Sequence, residues 1–261
     1  MRQPPNKAVA SVETVGRYAE AFRDLVNAKV WGKNASPSKA LRLNAEADWE
    51  FICVAMDVVG DAVLAIQNFL AFSLDGPTKY DNVGERYLRL YGVLNAAYLQ
   101  QEAVKKLFLK MQCPTPKDVD KVFADLELRT LRHQVGSHSV DYRVPGKDKE
   151  VLSYVPVRIG LNGFDCMVTE GRGNSTRTVQ LDEAIQAHSE ALATILDRIY
   201  EKSISTFFKG NATKIKQFSE ELHDLREQRD GNMIIKVIAG NDDKQTKMKI
   251  KFVAANHSKA K

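Results

Sequence analysis

FICVAMDVVGDAVLAIQNFLAFSL, residues 51–74, is the most apolar stretch of the chain, and its apolar positions recur with the period of a helix. Ile52, Ala55, Met56, Val59, Val63, Ile66 and Leu70 fall three or four residues apart. Its length would suit a membrane span, but Asp57, Asp61, Gln67 and Asn68 interrupt it, and charges at a bilayer centre are costly. The stretch therefore reads as a buried helix of a soluble protein, running from about Asn44 to Leu74. Asp75-Gly76-Pro77 ends it, since proline has no N–H to donate and glycine favours the helix C-terminus.

Working outward, the same period recurs on both sides. Val12 to Lys29 forms a first helix through Val15, Tyr18, Ala19, Phe22, Leu25 and Val26, followed by a polar loop, WGKNASPSKA, that Trp31 and Trp49 flank and anchor. Val83 to Met111 forms a third, with Tyr87, Leu90, Tyr91, Leu94, Ala97, Tyr98, Val104, Leu107 and Phe108 on its buried stripe, until Cys113-Pro114-Thr115-Pro116 stops it. A fourth starts near Lys117 and carries Val119, Val122, Phe123, Leu126, Leu128 and Leu131 as one helix into the sequence Arg132-His133-Gln134-Val135-Gly136-Ser137-His138. Leu181 to Phe208 is a fifth, with Asp182 or Thr178 as its N-terminal cap. The fold class that follows is mainly α: an antiparallel bundle of four to five long helices.

Two departures from this pattern are β-like. Residues 141–177 read as an insertion, with strands at 152–159 and 164–168 joined at Asn162-Gly163 and a second turn at Gly171-Arg172-Gly173-Asn174. After a short amphipathic helix at 214–229, the runs 233–238 and 247–253 form a C-terminal hairpin across Gly240-Asn241-Asp242-Asp243. The chain thus divides into a bundle at 1–208 and a basic appendage at 209–261.

The 38 basic and 33 acidic residues are unevenly placed. Residues 1–200 carry 25 of each sign, so the whole excess of +5 lies in the last 61 residues. Six lysines and no acid occupy 244–261, which suits either a solubilising tail or a sequence-independent grip on nucleic acid. On the second reading Lys247, Lys249 and Lys251 contact RNA. Cys53, Cys113 and Cys166 are too few and too far apart for a disulfide framework or a Cys-rich zinc site. With no apolar leader at the start, these cysteines point to a reducing cytoplasm and no membrane partner.

No phosphate loop, dinucleotide fingerprint, zincin or nucleophile-elbow motif is present, and no cofactor or metal is expected. His188, His223 and His257 each stand alone and read as surface residues on solvated segments. Residues 129–138 are different, because they gather Arg129, Arg132, His133, Ser137 and His138. An imidazole that titrates near neutrality can move a proton, and a guanidinium can bind a phosphate through two bonds. Together these groups meet the needs of metal-free cleavage of an RNA phosphodiester. On an ideal helix Arg132 and His138 lie about 240° apart around the axis, so they meet only if the helix is distorted or two subunits share one cleft. The plainer reading has both side chains capping the helix end, where cations suit the dipole. Asp57 and Asp61, one turn apart, have the spacing of a metal pair, but read better as polar residues facing a partner helix or the Arg–His cluster, where they would orient Arg132.

A helical bundle whose late helix carries Arg132, the polar His133 beside it, and His138 after five intervening residues resembles the HEPN domains. That resemblance covers about residues 12–208, leaving out the β insertion, and its motif is short. It implies a homodimeric, metal-independent endoribonuclease of toxin–antitoxin or phage-defence settings, with RNA as substrate and an antitoxin or regulatory protein as a partner. Arg132 and His138 would be its catalytic pair, with His133 in support. The rival reading is a non-catalytic helical module for dimerisation or protein interaction in a sensor or regulatory role. A bundle that binds a small molecule or nucleotide is a third.

Overall fold

A computed structural model describes residues 6–32, 35–78, 82–144, 151–171, 175–239 and 246–253. The fold is mainly helical, and its core is a ring of four long helices. These are α1 (Asn6–Val30), α3 (Asp48–Phe72), α4 (Val83–Lys110) and α7 (Leu181–Phe207), each packed on the next around the ring. The apolar periodicity pointed to these four, and each boundary lies within a few residues of the spans expected, α1 excepted at its start. Tyr18, Phe22, Ile52, Ile66, Leu90, Phe108, Leu192 and Tyr200 are all fully enclosed. A four-residue turn of helix, α2 (Pro37–Ala40), lies in the expected first loop, and Trp31 there is 76% exposed rather than an anchor.

Directions around the ring follow from who meets whom. Arg23 bonds Asp57 and Gln100 bonds the Val59 carbonyl, so α3 runs against both α1 and α4. Tyr18 meets Asp197, and Gln101 meets His188 while Arg198 reaches Pro114, so α7 runs with α1 and with α4. The antiparallel order expected throughout therefore holds along α1, α3 and α4, and α7 joins in parallel. A parallel neighbour needs a long return connection. Residues 111–180 provide it.

The return limb is where the expected fourth helix sits, and it is broken in two: α5 (Pro116–Ala124) and α6 (Glu127–Leu131). Phe123 and Leu128 are five residues apart, about 140° around one continuous helix. Leu126 adopts an extended conformation between them, which lets both side chains turn into the core. The limb then passes through a π-helical turn (Arg132–Ser137) into the β insertion. That insertion holds a small ladder of β1 (Tyr142–Arg143) with β2 (Val151–Leu152), and an antiparallel sheet of β3 (Tyr154–Asn162), β4 (Asp165–Glu170) and β5 (Thr176–Gln180). The third strand of that sheet was not anticipated, and the tight turn is Gly163-Phe164, one residue later than expected, with Gly163 at φ +57°. Gln180 precedes α7, so neither Thr178, inside β5, nor Asp182, in the first turn, caps it.

α8 (Ala212–Arg229) covers the outside of α1 and α7, capped by Asn211, whose side chain accepts from the Lys214 N–H at 3.0 Å. The Phe218 ring stacks on Phe208, 5.0 Å between centroids. The expected hairpin follows as β6 (Met233–Ala239) and β7 (Thr246–Phe252), while its Gly240–Asp243 turn and His257 lie outside the described residues. Asp197 ties α8 to the bundle, accepting from Tyr18 Oη at 2.8 Å and from Arg226 at 2.6 and 2.8 Å. Burial pushes the Asp197 carboxyl up, but the Arg226 and Tyr18 hydrogen bonds and the charges of Arg226 and Arg229 outweigh it, and the carboxyl stays ionised below the usual range.

His188, expected on a solvated face, is fully buried on α7 between Gln100 and Gln101. His223, by contrast, is exposed as expected.

Two stability measurements follow. Arg226→Met strands a buried carboxylate, a loss of about 3–5 kcal/mol for enclosed pairs. With Arg226 itself 37% exposed, solvent screens the pair, and urea unfolding should show a drop at the lower end, about 2–3 kcal/mol. Burial pushes the His188 imidazole from 6.5 down to about 3, so the unfolded chain takes up that proton first. Its contribution to stability is whole above pH 6.5 and is lost as the pH falls toward 3. At pH 4.5 the loss from this group is about 2–3 kcal/mol, and His188→Asn should flatten that part of the stability–pH curve.

Candidate functional site

The Arg–His cluster lies partway along the return limb, against the middle of α4. Its backbone is π-helical, and the His138 N–H donates to the His133 carbonyl at 2.9 Å, an i to i+5 bond. In an α-helix these two residues would face about 140° apart. The wider turn brings them one above the other, and their rings lie parallel within 21°, 6.1 Å between centroids. Gly136 in this turn is exposed, and a Cβ there would meet Arg132 Cγ at an ordinary 3.7 Å, so the residue leaves room without being sterically required.

The β insertion braces this turn from the other side. Arg177 of β5 donates to Glu127 at 2.6 Å and to Gln134 at 2.7 Å, clamping the start of α6 to the π-turn. The Tyr154 N–H donates to the Ser139 carbonyl at 2.7 Å just beyond it. Arg177 was not among the residues singled out from sequence. A clamp between residues 43 or more apart leaves no local signal.

Tyr98 of α4 is the hub of the site. The Arg132 guanidinium lies 3.8 Å from its ring centroid and that of Arg129 lies 5.2 Å away, while the His133 ring meets it edge-on at 6.1 Å. A contact with an aromatic face fixes a guanidinium without using its N–H groups. Among the described residues the Arg132 guanidinium has no hydrogen bond or ion pair, so all its N–H groups are available. Arg129 is held more firmly, through Nη1 to Gln101 at 3.0 Å and to Glu102 at 3.1 Å. Tyr98 was read as part of the third helix's buried stripe, but it is half-buried and faces the cluster, and Tyr91 of the same stripe is 42% exposed.

His133 and His138 line a hollow of about 530 Å³ with Arg129, Thr130, Asp141, Tyr142 and Arg143. Arg132 stands behind His133 on Tyr98 and is not on this wall. Arg143, exposed on β1, adds a cation that the sequence did not single out. His138 is half exposed, with Nδ1 3.3 Å from Asp141 Oδ1. Desolvation and the charges of Arg129, Arg132 and His138 hold the His133 imidazole below its ordinary pKa, with Glu102 pulling the other way. His133 is therefore neutral at pH 7 and ready to accept a proton.

The remaining expected site residues lie elsewhere. Asp57 and Asp61 are exposed on α3 and line a separate hollow of about 780 Å³ against α1, where Asp57 pairs with Arg23 at 2.9 Å. They make no contact with Arg132, because the two are on the α1 side of α3 whereas the cluster rests on α4. Lys251 pairs with Glu227 of α8 rather than standing open. Lys249 sits opposite Lys236 and Lys247 opposite Ile238 in the hairpin register. Among the described residues no three His, Cys, Asp or Glu side chains converge for a metal ion, and no helix is long and apolar enough to cross a membrane. No protein-family model, curated protein or solved structure gives a significant match to this chain.

The charge account of His133 is open to direct measurement. Arg132→Gln removes a neighbouring cation and should raise the His133 pKa, and Glu102→Gln removes an anion and should lower it, each followed by proton NMR of the imidazole. If neither variant moves the titration, charge is not what tunes this histidine.

Proposed function

We propose that this chain is a metal-independent endoribonuclease of the HEPN type. The observation that carries the proposal is the aligned pair His133 and His138 on one wall, with cationic guanidinium groups beside it. Cleavage of RNA without a metal needs one group to take the proton from the 2′-OH and another to protonate the departing 5′-oxygen. His133, neutral at pH 7, suits the first role, and the more exposed His138, with Asp141 at its Nδ1, suits the second. As the 2′-oxygen attacks phosphorus, negative charge builds on the non-bridging oxygens. Arg129 and Arg143 on the wall of the hollow can stabilise that charge, and Arg132, on Tyr98 behind His133, adds its positive field. The products are a 2′,3′-cyclic phosphate and a 5′-OH.

Two further elements belong to the proposal. Lys247 and Lys249 of the hairpin give sequence-independent attraction to the phosphate backbone. The exposed apolar residues Leu88, Tyr91 and Leu99 share one face of α4 beside the site, which suits a homodimer. That same face also favours the second reading, a helical interaction module in which the cluster is structural.

Mixed-sequence RNA incubated in EDTA separates the two. Wild type should produce 2′,3′-cyclic ends, and His138→Ala should cut at least about 100-fold more slowly. RNA left intact by the wild type, or cut equally by the variant, sinks the catalytic reading in favour of the module.

A further inference from the structure

Behind the site runs a chain of buried side chains in which every donor and acceptor is forced. At one end is the Val59 carbonyl of α3, which can only accept, and at the other is the Arg129 guanidinium, which can only donate. Arg129 Nη1 is 3.0 Å from Gln101 Oε1, so the Gln101 amide must turn its oxygen to Arg129 and its NH₂ to His188 Nδ1, 3.2 Å away. An NH₂ group only donates, so Nδ1 is the acceptor and the imidazole proton sits on Nε2. That proton is donated to Gln100 Oε1 at 2.9 Å, and the Gln100 NH₂ donates to the Val59 carbonyl at 3.1 Å. Gln100, Gln101 and His188 are at most 1% exposed, so no water competes for the bonds among these three.

We infer that His188, acting through Gln101, is a positioning residue that holds the Arg129 guanidinium at the candidate site, an inference that rests on the ribonuclease reading above. The geometry says what is held. Gln101 and Glu102 use both protons of Arg129 Nη1, and the Tyr98 ring lies beside the guanidinium. Among the described residues Nη2 and Nε have no partner, and these are the donors left for a phosphate in the hollow that Arg129 lines. Glu102 is 39% exposed and can swing, whereas Gln101 cannot, because His188 keeps its amide from turning. A protonated His188 would set an N–H against the Gln101 NH₂ and force the amide to flip, releasing Arg129. Burial keeps the imidazole neutral down to about pH 3, so the relay keeps one direction.

A double-mutant cycle tests this, because coupled residues give non-additive losses and independent ones do not. The cost of Arg129→Ala is measured in four backgrounds: wild type, Gln101→Met, His188→Asn and His188→Gln. Two readouts are used, kcat/KM for RNA cleavage and Kd for a 2′-O-methyl RNA that cannot be cut. In the wild type, loss of a charged phosphate contact should cost about tenfold. In His188→Asn the introduced amide oxygen can replace Nδ1 as the acceptor for Gln101, so the tenfold cost should persist there. Gln101→Met, and His188→Gln with a donor only toward Gln100, should reduce that cost to less than about twofold. Should Gln101→Met fail to fold, the two polar His188 variants carry the comparison between them. An equal cost of Arg129→Ala in every folded background overturns the inference. If wild type binds the RNA but cuts none, the ribonuclease reading fails and the Kd cycle alone judges the relay. If it neither binds nor cuts, both fail.

Discussion

α7 lies against α1 and α4 and points the same way as both, so the chain must travel back along the whole length of α4 before α7 can begin. Residues 111–180 make that journey, and much of what is distinctive in this molecule comes from the route they take. The descending limb has to follow the surface of α4 closely enough to bury Phe123, Leu128 and Leu131, which one straight helix would spread over about 140° of its circumference. The break at Leu126 and the π-turn at 132–137 are the two points where the limb re-aims itself. The second of these is also where the histidines align, as π-turns often mark functional positions.

Electrostatics at that turn run against stability unless something compensates. Arg129, Arg132 and His133 crowd around one tyrosine with His138 stacked beyond, and Glu102 and Asp141 offset them with negative charge. The remaining cost is limited by the Tyr98 ring, whose negative face stabilises guanidinium charge without desolvating it fully. It falls further because His133 stays neutral at pH 7. The β insertion supplies the mechanical counterpart. Through Arg177 it ties the π-turn to the start of α6, and through Tyr154 it holds Ser139 just beyond the turn, so the insertion works as a brace rather than a decoration of the bundle.

The basic appendage is less open than its composition implies. α8 is bound to the bundle through Asp197, and Lys251 of the hairpin is partnered by Glu227. Exposed Met233, Ile235 and Phe252 show that the hairpin leaves apolar surface uncovered as well as charge. Two seams of buried polar contacts tie the helices together, Asp197 between α1, α7 and α8, and His188 between α4 and α7. An unmatched polar group inside a helical core is costly, so each seam narrows the registers in which these helices can pack.

Local periodicity was enough to mark the four long helices of the core and most of their buried positions, because 3.6-residue spacing is a property of neighbours in sequence. Asn162-Gly163 and Gly240-Asn241-Asp242-Asp243 likewise announced two hairpins, since turn chemistry is local. Proximity of Arg129, Arg132, His133 and His138 was legible too, because they share ten residues of chain. What the sequence could not convey is set by partners far along the chain. The parallel direction of α7, the burial of His188 by glutamines 87 and 88 residues away, and the distance between Asp57 and the cluster all depend on how helices pack. The facing of His133 and His138 belongs to the same class. Seven letters read as a regular helix would point the two rings apart, and only the π-turn, clamped by Arg177 and resting on Tyr98, brings them together.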